Sequence, residues 1–166
     1  MNRNIIIVAI VLIIFSTWVN PTLTHATFDK TPNSHSKPVL ASSNTIIVPD
    51  NYTTIQEAIN NANQGDTIFV KAGTYYEQVS VYKALSLVGE NKHNTTIDGG
   101  GNGTVVFTMT SAFTLSNFTI QNGEYGIWSL HSTYNTLTNN IVSNNEYGIY
   151  LKESSDNTLY DNIASN

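Results

Sequence analysis

Few carboxylates in this chain could act as a catalytic pair. Asp156 and Asp161 lie close together in the repetitive C-terminal part of the sequence. Inverting hydrolysis of a glycoside needs two carboxylates across a cleft, about 6.5–9.5 Å apart. Both aspartates, however, lie at turn-like positions, where an aspartate commonly supports the turn and faces solvent. We therefore assign no catalytic residue, and the sequence favours a protein that is not an enzyme.

Metal ligands are equally sparse. A copper site needs a cluster of His, Cys or Met side chains, but His93, His131 and Met109 lie in different repeats and the chain has no cysteine. Carboxylate oxygens of Asp66 or Asp98 are suitable ligands for calcium, yet no ligand-rich loop surrounds either residue. We expect no metal ligand and no cofactor, and calcium and copper remain unsupported alternatives.

Four aromatic residues recur one repeat apart and form the best candidate for a binding surface. If the isoleucine before each of them points into the core, the alternation of a strand directs Trp128 and Tyr150 outward. Tyr125 and Tyr147 form a second pair beside a turn. Flat rings among Asn and Ser side chains suit the apolar faces of sugars, so we predict carbohydrate contact. The alternative is that the rings only stabilise neighbouring coils, by about 0.5–1.5 kcal/mol per pair.

Four Asn-X-Thr sequences offer acceptors for N-glycosylation in an exported chain. They begin at Asn51, Asn94, Asn102 and Asn117. Such a short pattern arises by chance in a chain rich in Asn and Thr. Asn94 and Asn102 lie in apparent turns, which makes them the better candidates for modification.

A sequence repeat must position these residues. GEYGIWSLHSTYNTLTNNIVSNN and EYGIYLKESSDNTLYDNIASN align without a gap, and matching residues are 22 positions apart. A gapless repeat is typical of a solenoid, in which each unit buries its apolar face against the next. Carried backward, the step places Phe118 under Asn140 and Val105 under Ile127. At this period, residues 67–166 make roughly four and a half coils.

A parallel β-helix explains the repeat better than a leucine-rich repeat does. The leucine-rich pattern fits Leu115-x-x-Phe118-x-Ile120 but fails in later units, where Asn replaces the second apolar residue. Each unit also holds a second strand instead of a helix. If the coils stack in register, Asn140 and Asn162 can hydrogen-bond to each other as an amide ladder. The ladder makes buried asparagines acceptable, because an unpaired buried amide would cost about 1–3 kcal/mol. We predict an all-β, parallel β-helix solenoid with about 22 residues per coil.

One short helix is predicted ahead of most strands. Thr54 and Glu57 make a capping-box pattern, apolar residues follow at helical spacing, and Gly65 ends the segment. A helix of about ten residues does not persist alone, so it must cover apolar surface. We predict that residues 54–63 cap the N-terminal end of the solenoid. Strands are predicted at residues 46–48, 67–70, 77–81, 85–88, 95–98, 105–108 and 114–120.

The N-terminus carries a predicted export signal. Arg3 precedes the apolar run Ile5–Phe15, and small residues suitable for cleavage surround His25. The run is shorter than the roughly 20 residues of a membrane-spanning helix. Residues 1–26 are interpreted as a signal peptide, with an uncleaved N-terminal anchor as the alternative. Residues 27–44 are interpreted as a flexible linker, and the protein is expected to be secreted or at the cell surface.

The β-helix domain is expected to occupy residues 45–166. No closing helix or polar cap is recognisable before Asn166, and a terminal repeat with an open face is unusual for a complete solenoid. We therefore expect that this domain is truncated at its C-terminal end. An uncapped last coil also predicts end-to-end self-association through its free strand edges.

Composition excludes one class of partner and several kinds of cross-link. Charged residues make up 11% of the chain and the formal net charge is −5, without a block of basic residues. A surface of this kind has no basic stripe for phosphates, so nucleic acid is not an expected partner. The absence of cysteine excludes a disulfide framework and a thiolate zinc site.

Several segments resemble known β-helix families. Residues 47–59, 65–70, 73–77, 85–89 and 96–99 resemble the opening of pectate-lyase-like, right-handed parallel β-helix proteins. The first part is similar to pectin methylesterases. The run NTLTNNIVSNNEYGIYL is closer to NosD-type periplasmic copper-binding repeats and to the carbohydrate-binding/sugar-hydrolase (CASH) repeats. The resemblance spans about residues 46–166, and it implies a right-handed parallel β-helix more strongly than any activity.

The resemblance implies chemistry that the residues do not match. Pectin methylesterases use two aspartates, an arginine and glutamines, and pectate lyases use calcium-binding aspartates with an arginine base. This chain has no arginine after Arg3. The NosD resemblance likewise brings the repeat but no visible copper site.

We therefore expect an exported, non-catalytic β-helix repeat module. It is expected to bind a polysaccharide or surface glycan, or to serve in cell-surface structure or adhesion. A fragment of a polysaccharide lyase, esterase or hydrolase is the first alternative. A NosD-type copper-delivery protein is the second.

Overall fold

The computed structural model describes residues 43–165, which form a parallel β-helix of about six coils. The predicted signal peptide and most of the predicted linker lie outside these residues. The elements in chain order are β1 (Thr45–Val48), α1 (Ile55–Asn61), β2 (Thr67–Val70), β3 (Gly73–Tyr76), β4 (Val79–Val81), β5 (Ser86–Gly89), β6 (Thr95–Asp98), β7 (Thr104–Thr108), β8 (Thr114–Ser116), β9 (Thr119–Gln121), β10 (Tyr125–Leu130), β11 (Thr136–Thr138), β12 (Ile141–Ser143), β13 (Tyr147–Lys152), β14 (Thr158–Tyr160) and β15 (Ile163–Ser165).

Three parallel sheets form the walls of the solenoid. Sheet A has the strand order β1-β2-β5-β8-β11-β14, sheet B the order β3-β6-β9-β12-β15, and sheet C the order β4-β7-β10-β13. Every strand pairs in parallel with its equivalent in the next coil. The predicted parallel β-helix with about 22 residues per coil and one short helix is confirmed.

Inward side chains stack into the core in register. Because alternate residues of a strand face opposite sides of a sheet, the middle residue of most sheet A strands points inward. These residues are aligned by the strand pairing, and the four from β2 to β11 are at most 1% exposed. Identical or similar side chains thus pack on one another along the axis, which is why a sequence repeat specifies this fold. The stacked residues are Ile46, Ile68, Leu87, Leu115, Leu137 and Leu159.

Helix α1 covers the N-terminal end of this core. Its N-cap is Thr54, whose side chain accepts a hydrogen bond from the Glu57 backbone N–H at 3.1 Å. Ile55, Ala58 and Ile59 are buried against β1, β2 and β4. The predicted extent was too long, since the last helical residue is Asn61. The chain is already extended at Ala62, before it reaches the glycine that was expected to end the helix.

Two charged side chains from the following coil bind the two ends of α1. The Glu77 carboxylate accepts hydrogen bonds from the backbone N–H groups of Ile55 and Gln56, at 2.9 and 3.0 Å. A negative charge is favourable there, because the first N–H groups of a helix have no partner within it. Lys83 Nζ lies within 3.1 Å of three carbonyl oxygens at the other end, those of Ile59, Asn60 and Ala62.

The side chain of Gln56 closes the free edge of sheet C. Its Oε1 accepts a hydrogen bond from the Ser80 backbone N–H at 2.7 Å, and its Nε2 donates to the Ser80 carbonyl oxygen at 3.2 Å. These are the two bonds that a neighbouring strand would make with β4. A single amide therefore satisfies an edge that could otherwise pair with another chain.

Three predictions about strands are wrong in detail. Strand β3 was missed, and the segment predicted to begin at Glu77 begins only at Val79, because Glu77 turns away to bind the helix. Residues 114–120 form two strands, not one. Asn117, with a φ of 66°, makes the corner between them in the left-handed region. The count of roughly four and a half coils predicted for residues 67–166 agrees with the strands from β2 onward, and β1 adds a further strand to sheet A, so that the described residues hold about six coils.

The predicted stacking of Val105 on Ile127 is also wrong, because Ile127 pairs with Val106. The turn between β6 and β7 is longer than the turn between β9 and β10, at five residues against three. The repeat step across sheet C is therefore 21 residues at this coil, while it is 22 at the next. A uniform step cannot follow such a change in turn length.

None of the helices among residues 43–165 has the length and apolar character needed to cross a membrane.

Replacing Lys83 by Met tests how strongly the cap depends on its charged clamp. The methionine keeps most of the apolar stem but loses three hydrogen bonds to carbonyl oxygens. We expect the free energy of unfolding to fall by about 1–2 kcal/mol, because hydrogen bonds to charged groups are among the stronger ones. Urea unfolding followed by circular dichroism measures this. Lys152→Met, at an exposed strand end, is the control and should change stability by less than about 0.5 kcal/mol.

Candidate functional site

Sheet C carries the predicted aromatic residues on its outer face. Ile127 is fully buried, and Trp128, the next residue of β10, points outward. Parallel pairing places Trp128 between Phe107 of β7 and Tyr150 of β13. The ring centroids of Phe107 and Trp128 are 5.5 Å apart, and those of Trp128 and Tyr150 are 6.1 Å apart. The strand register therefore produces one column of outward rings.

A second pair of rings, at the first residues of β10 and β13, flanks this column. Tyr125 and Tyr147 stack with centroids 4.8 Å apart and an interplanar angle of 16°. Tyr125 also lies 5.1 Å from Trp128 and 5.5 Å from Tyr150. The four residues predicted from the sequence thus form one connected group around Tyr125.

Two members of this surface were missed by sequence reasoning. Phe107 lies one coil before Trp128, and Tyr82 lies next to Phe107 with centroids 6.0 Å apart. A 22-residue step back from Trp128 reaches Val106, because the longer turn before β7 shifts the register by one. Counting outward positions within each strand would have found Phe107. We call the whole set the aromatic strip: Tyr82, Phe107, Tyr125, Trp128, Tyr147 and Tyr150.

The strip offers ring faces to solvent. Tyr82, Tyr147 and Tyr150 are 61%, 47% and 39% exposed, while the other three rings are half-buried between them. The Trp128 Nε1–H is covered by its surroundings and has no hydrogen-bond acceptor. The indole therefore contributes its apolar face and edge, not its donor.

Gly126, next to Tyr125, lies where two coils approach each other closely. A Cβ atom at Gly126 would lie 2.5 Å from Val142 Cγ1 and 2.7 Å from the Gly148 carbonyl oxygen. Backbone from the next coil passes through the space that any side chain would need. Glycine at this position is thus required for the close approach of coils beneath the stacked tyrosines.

The phenols of the strip lie beside acidic side chains. Burial raises the pKa of Tyr125, and the negative charges of Glu124 and Glu146 raise it further. The phenol of Tyr125 is therefore neutral at physiological pH.

Asparagines hold successive coils together by one repeated pattern. The Oδ1 of Asn140 accepts a hydrogen bond from the Phe118 backbone N–H, 22 residues earlier, and its Nδ2 donates to the Leu115 carbonyl oxygen, 25 residues earlier. Asn162 repeats both bonds one coil later. Asn145 and Asn157 show the same pattern at two other corners.

The predicted Asn140–Asn162 ladder is thus mainly a bridge from side chain to backbone. Asn140 Nδ2 does lie 3.0 Å from Asn162 Oδ1, so the amides also contact each other. Asn140 is fully buried. The corner bonds of Asn135, Asn145 and Asn157 were not predicted from the sequence, although the 22-residue spacing of Asn135 and Asn157 was visible there.

The aspartates that sequence reasoning considered do not converge on one site. Asp156 and Asp161 are exposed and occupy left-handed turn positions, with φ of 56° and 54°. Asp66 is buried, and its two oxygens accept hydrogen bonds from the backbone N–H groups of Asn44 and Asn63 at 2.8 and 2.7 Å. Asp98 accepts from side-chain amides of the next coil and from a backbone N–H of the following glycine turn.

Hydrogen bonding keeps both buried aspartates charged. The backbone N–H donors of Asn44 and Asn63 hold the pKa of Asp66 below its ordinary value of 3.8. Burial raises the pKa of Asp98, but hydrogen bonds from Gln121, Gly100 and Asn122 outweigh burial and lower it. A carboxylate that accepts several hydrogen bonds is a poor general acid at neutral pH.

The histidines lie apart from each other and from the strip. His93 is exposed in the turn between β5 and β6 and lines a shallow polar cavity of about 260 Å³ with Lys92 and Asn139. His131 Nδ1 lies 3.1 Å from Glu153 Oε2. Within residues 43–165, no three His, Cys, Asp or Glu side chains come together as metal ligands.

The proposed glycosylation sites are sterically accessible. Asn94 and Asn102 are both exposed in turns. The Asn102 Oδ1 accepts a hydrogen bond from Gln78 Nε2 at 3.2 Å. Modification of either residue stays a prediction.

The stacked sheets, the asparagine corners and the capping helix define a parallel β-helix protein. Residues 22–166 match the family model described as "Periplasmic copper-binding protein (NosD)". The chain therefore belongs to the NosD family, and the NosD-type resemblance found in the sequence is confirmed. The family's description as periplasmic agrees with the predicted export of this protein. No curated protein matches the chain.

Removing one asparagine bridge measures its contribution to stability. Asn140→Ala leaves the buried N–H of Phe118 and the buried carbonyl of Leu115 without these partners. We expect the free energy of unfolding to decrease by about 1–3 kcal/mol. Thr136→Ala, which removes an outward side chain from β11 of the same coil, should cost less than about 0.5 kcal/mol. Equal losses for the two variants in chemical unfolding would contradict a special role for the bridge.

The two buried aspartates predict a loss of stability in acid. Their pKa values in the folded state lie below the ordinary value of 3.8, so the unfolded state binds more protons in acid. Their stabilisation is complete above the unfolded pKa and is lost as pH falls through the folded pKa values. We expect a flat unfolding free energy from pH 7 to about 5 and a decline below about pH 4.

Asp66→Asn isolates the contribution of one of these groups. The variant should be less stable than the wild type at pH 7, and its stability should decline less steeply below pH 4. Asp161→Asn, an exposed turn residue, should keep the wild-type slope. An unchanged slope in Asp66→Asn would contradict the linkage.

Proposed function

We propose that this chain is an exported β-helix module that binds a glycan on the aromatic strip. The observation that carries the proposal is the continuity of the strip. Five rings from three successive strands of sheet C, together with Tyr82 directly after β4, form a connected set with neighbouring centroids 4.8–6.1 Å apart. Isolated exposed aromatics are common on protein surfaces, but a contiguous apolar patch indicates a binding site.

The chemistry of the strip suits sugars. The C–H-rich face of a pyranose ring packs on an aromatic face, and phenol hydroxyls at the rim can exchange hydrogen bonds with sugar hydroxyls. Three of the six rings are tyrosines with 39–61% exposure. The rings stand on paired strands, so little conformational freedom is lost when a ligand binds. Rigid aromatic platforms of this kind favour extended, flexible polymers as ligands.

The positions of the four aspartates support binding over catalysis. Asp66 and Asp98 are each held by several hydrogen-bond donors, and Asp156 and Asp161 occupy exposed turns. None of these four aspartates is part of the aromatic strip. A glycosidase needs two carboxylates placed on either side of the scissile bond, and we propose no catalytic step for the strip.

Copper delivery in the periplasm is the second candidate function, and the family description favours it. Within the described residues, His131 is paired with Glu153 and His93 lies in a different turn. Copper sites use closely grouped imidazole or sulfur ligands. Titration of the purified protein with Cu(I) and Cu(II), followed by calorimetry, tests this function. A tight site with one copper per chain would support it, and the absence of saturable binding would exclude it.

Paired substitutions in the strip test the proposed glycan binding. Trp128→Ala combined with Tyr150→Ala removes two neighbouring ring faces, each worth about 0.5–1.5 kcal/mol. We expect binding to a responsive polysaccharide to weaken by about 5- to 100-fold. A panel of soluble polysaccharides measured by affinity electrophoresis and calorimetry identifies the responsive ligand.

Tyr76→Ala is the matched control. Tyr76 is a 78% exposed tyrosine on β3 of sheet B, outside the strip. Its removal should leave the affinity unchanged. Equal affinity of the wild type and the strip variant for every bound polysaccharide would exclude the strip as the binding surface.

A further inference from the structure

We propose that the strip selects glycans that carry free amino groups, such as glucosamine polymers, and rejects polyuronates. This inference rests on the proposed glycan binding and adds the class of ligand. It is carried by two glutamates beside the stacked tyrosines. Glu124 and Glu146 directly precede Tyr125 and Tyr147, and both glutamates are exposed.

The backbone holds the two glutamates one above the other. Tyr147 N–H donates to the Glu124 carbonyl oxygen at 2.7 Å, and Glu146 N–H donates to the Gly123 carbonyl oxygen at 3.2 Å. The tyrosines that follow them stack at 4.8 Å. Burial is the main cause of the raised pKa of Tyr125, and the negative charges of both glutamates raise it further. Both glutamates therefore act electrostatically on the strip. The carboxylates therefore form a short anionic row along one side of the rings.

No cation within the described residues neutralises this row. The ion pairs found there join Lys71 to Asp50 and His131 to Glu153. Lys83 is bound to helix carbonyls at the far end of the solenoid. Lys152 pairs in register with Leu130, at the opposite end of the strand from Tyr147. The side of the strip next to Tyr125 and Tyr147 is thus negative.

The spacing of the row suits a polymer that lies along the solenoid axis. Successive coils are about 4.8 Å apart, so a chain packed on the ring column passes both carboxylates. Ammonium groups on such a chain gain charge-assisted hydrogen bonds at Glu124 and Glu146. Carboxylates on a polyuronate instead meet like charges at the same positions. Both effects are screened by salt, because these side chains are exposed.

The test compares three oligosaccharides of equal length on the full chain. A hexamer of glucosamine, a hexamer of N-acetylglucosamine and a hexamer of galacturonic acid are titrated by calorimetry at pH 6 and low ionic strength. We expect the glucosamine hexamer to bind about 3- to 20-fold more tightly than its acetylated form, and the galacturonate hexamer to bind weakest. The preference should shrink in 0.5 M salt.

Charge-neutral variants separate specific pairing from attraction to the whole protein. Glu124→Gln with Glu146→Gln should remove most of the preference for the glucosamine hexamer and leave affinity for the acetylated hexamer unchanged. Glu57→Gln with Asp161→Asn makes the same change in net charge on other faces and should keep the preference. Equal loss in both double variants would overturn the inference.

The remaining outcomes distinguish a failure of the proposed selection for amino groups from a failure of the proposed glycan binding on which it rests. Tight binding of the galacturonate hexamer, or equal binding of all three hexamers, overturns the selection for amino groups. If Trp128→Ala still weakens binding in that case, the proposed glycan binding on the strip stands. Binding that is insensitive to both Trp128→Ala and Tyr150→Ala overturns the proposed function together with the inference.

Discussion

The bond between an asparagine side chain and the backbone of the preceding coil is the interaction on which the rest of this fold depends. Each coil turns sharply at its corners, where N–H and C=O groups leave the sheets and lose their ladder partners. Asn140 and Asn162 supply both a donor and an acceptor at such a corner. Because each amide spans a fixed interval of 22 and 25 residues, the bridges set the register of every strand between them.

Register, in turn, decides what faces solvent. A strand shifted by one residue would place its buried set outside, so the bridged corners fix Ile127 in the core and Trp128 on the surface. The aromatic strip is therefore a consequence of how the coils are locked together. Side chains also bind free backbone groups at the N-terminal cap. Glu77, Lys83 and Gln56 each hydrogen-bond to backbone groups that have no partner in a neighbouring strand.

The fold was predictable from the sequence because the inward-facing residues of successive C-terminal coils are similar and recur at a regular interval of 22 residues. The position of Trp128 beside Tyr150 followed from one 22-residue step. Phe107 and Tyr82 were out of reach of that step, because the turn after Asp98 has two more residues than its equivalent after Gln121. Turn length is not periodic, so it cannot be inferred from a repeat. The role of Lys83 was equally hidden, because its partners are backbone oxygens in a different element.

All strands of sheet C run in the same direction, and this gives its outer face a polarity. Along the solenoid axis the column begins at Phe107, continues through Trp128 and reaches Tyr150, with no twofold axis that could exchange its ends. A linear polymer laid along these rings meets different neighbours in its two orientations. The two orientations of a linear molecule along this face are therefore not equivalent, whereas they would be more nearly equivalent on an antiparallel sheet of the same composition.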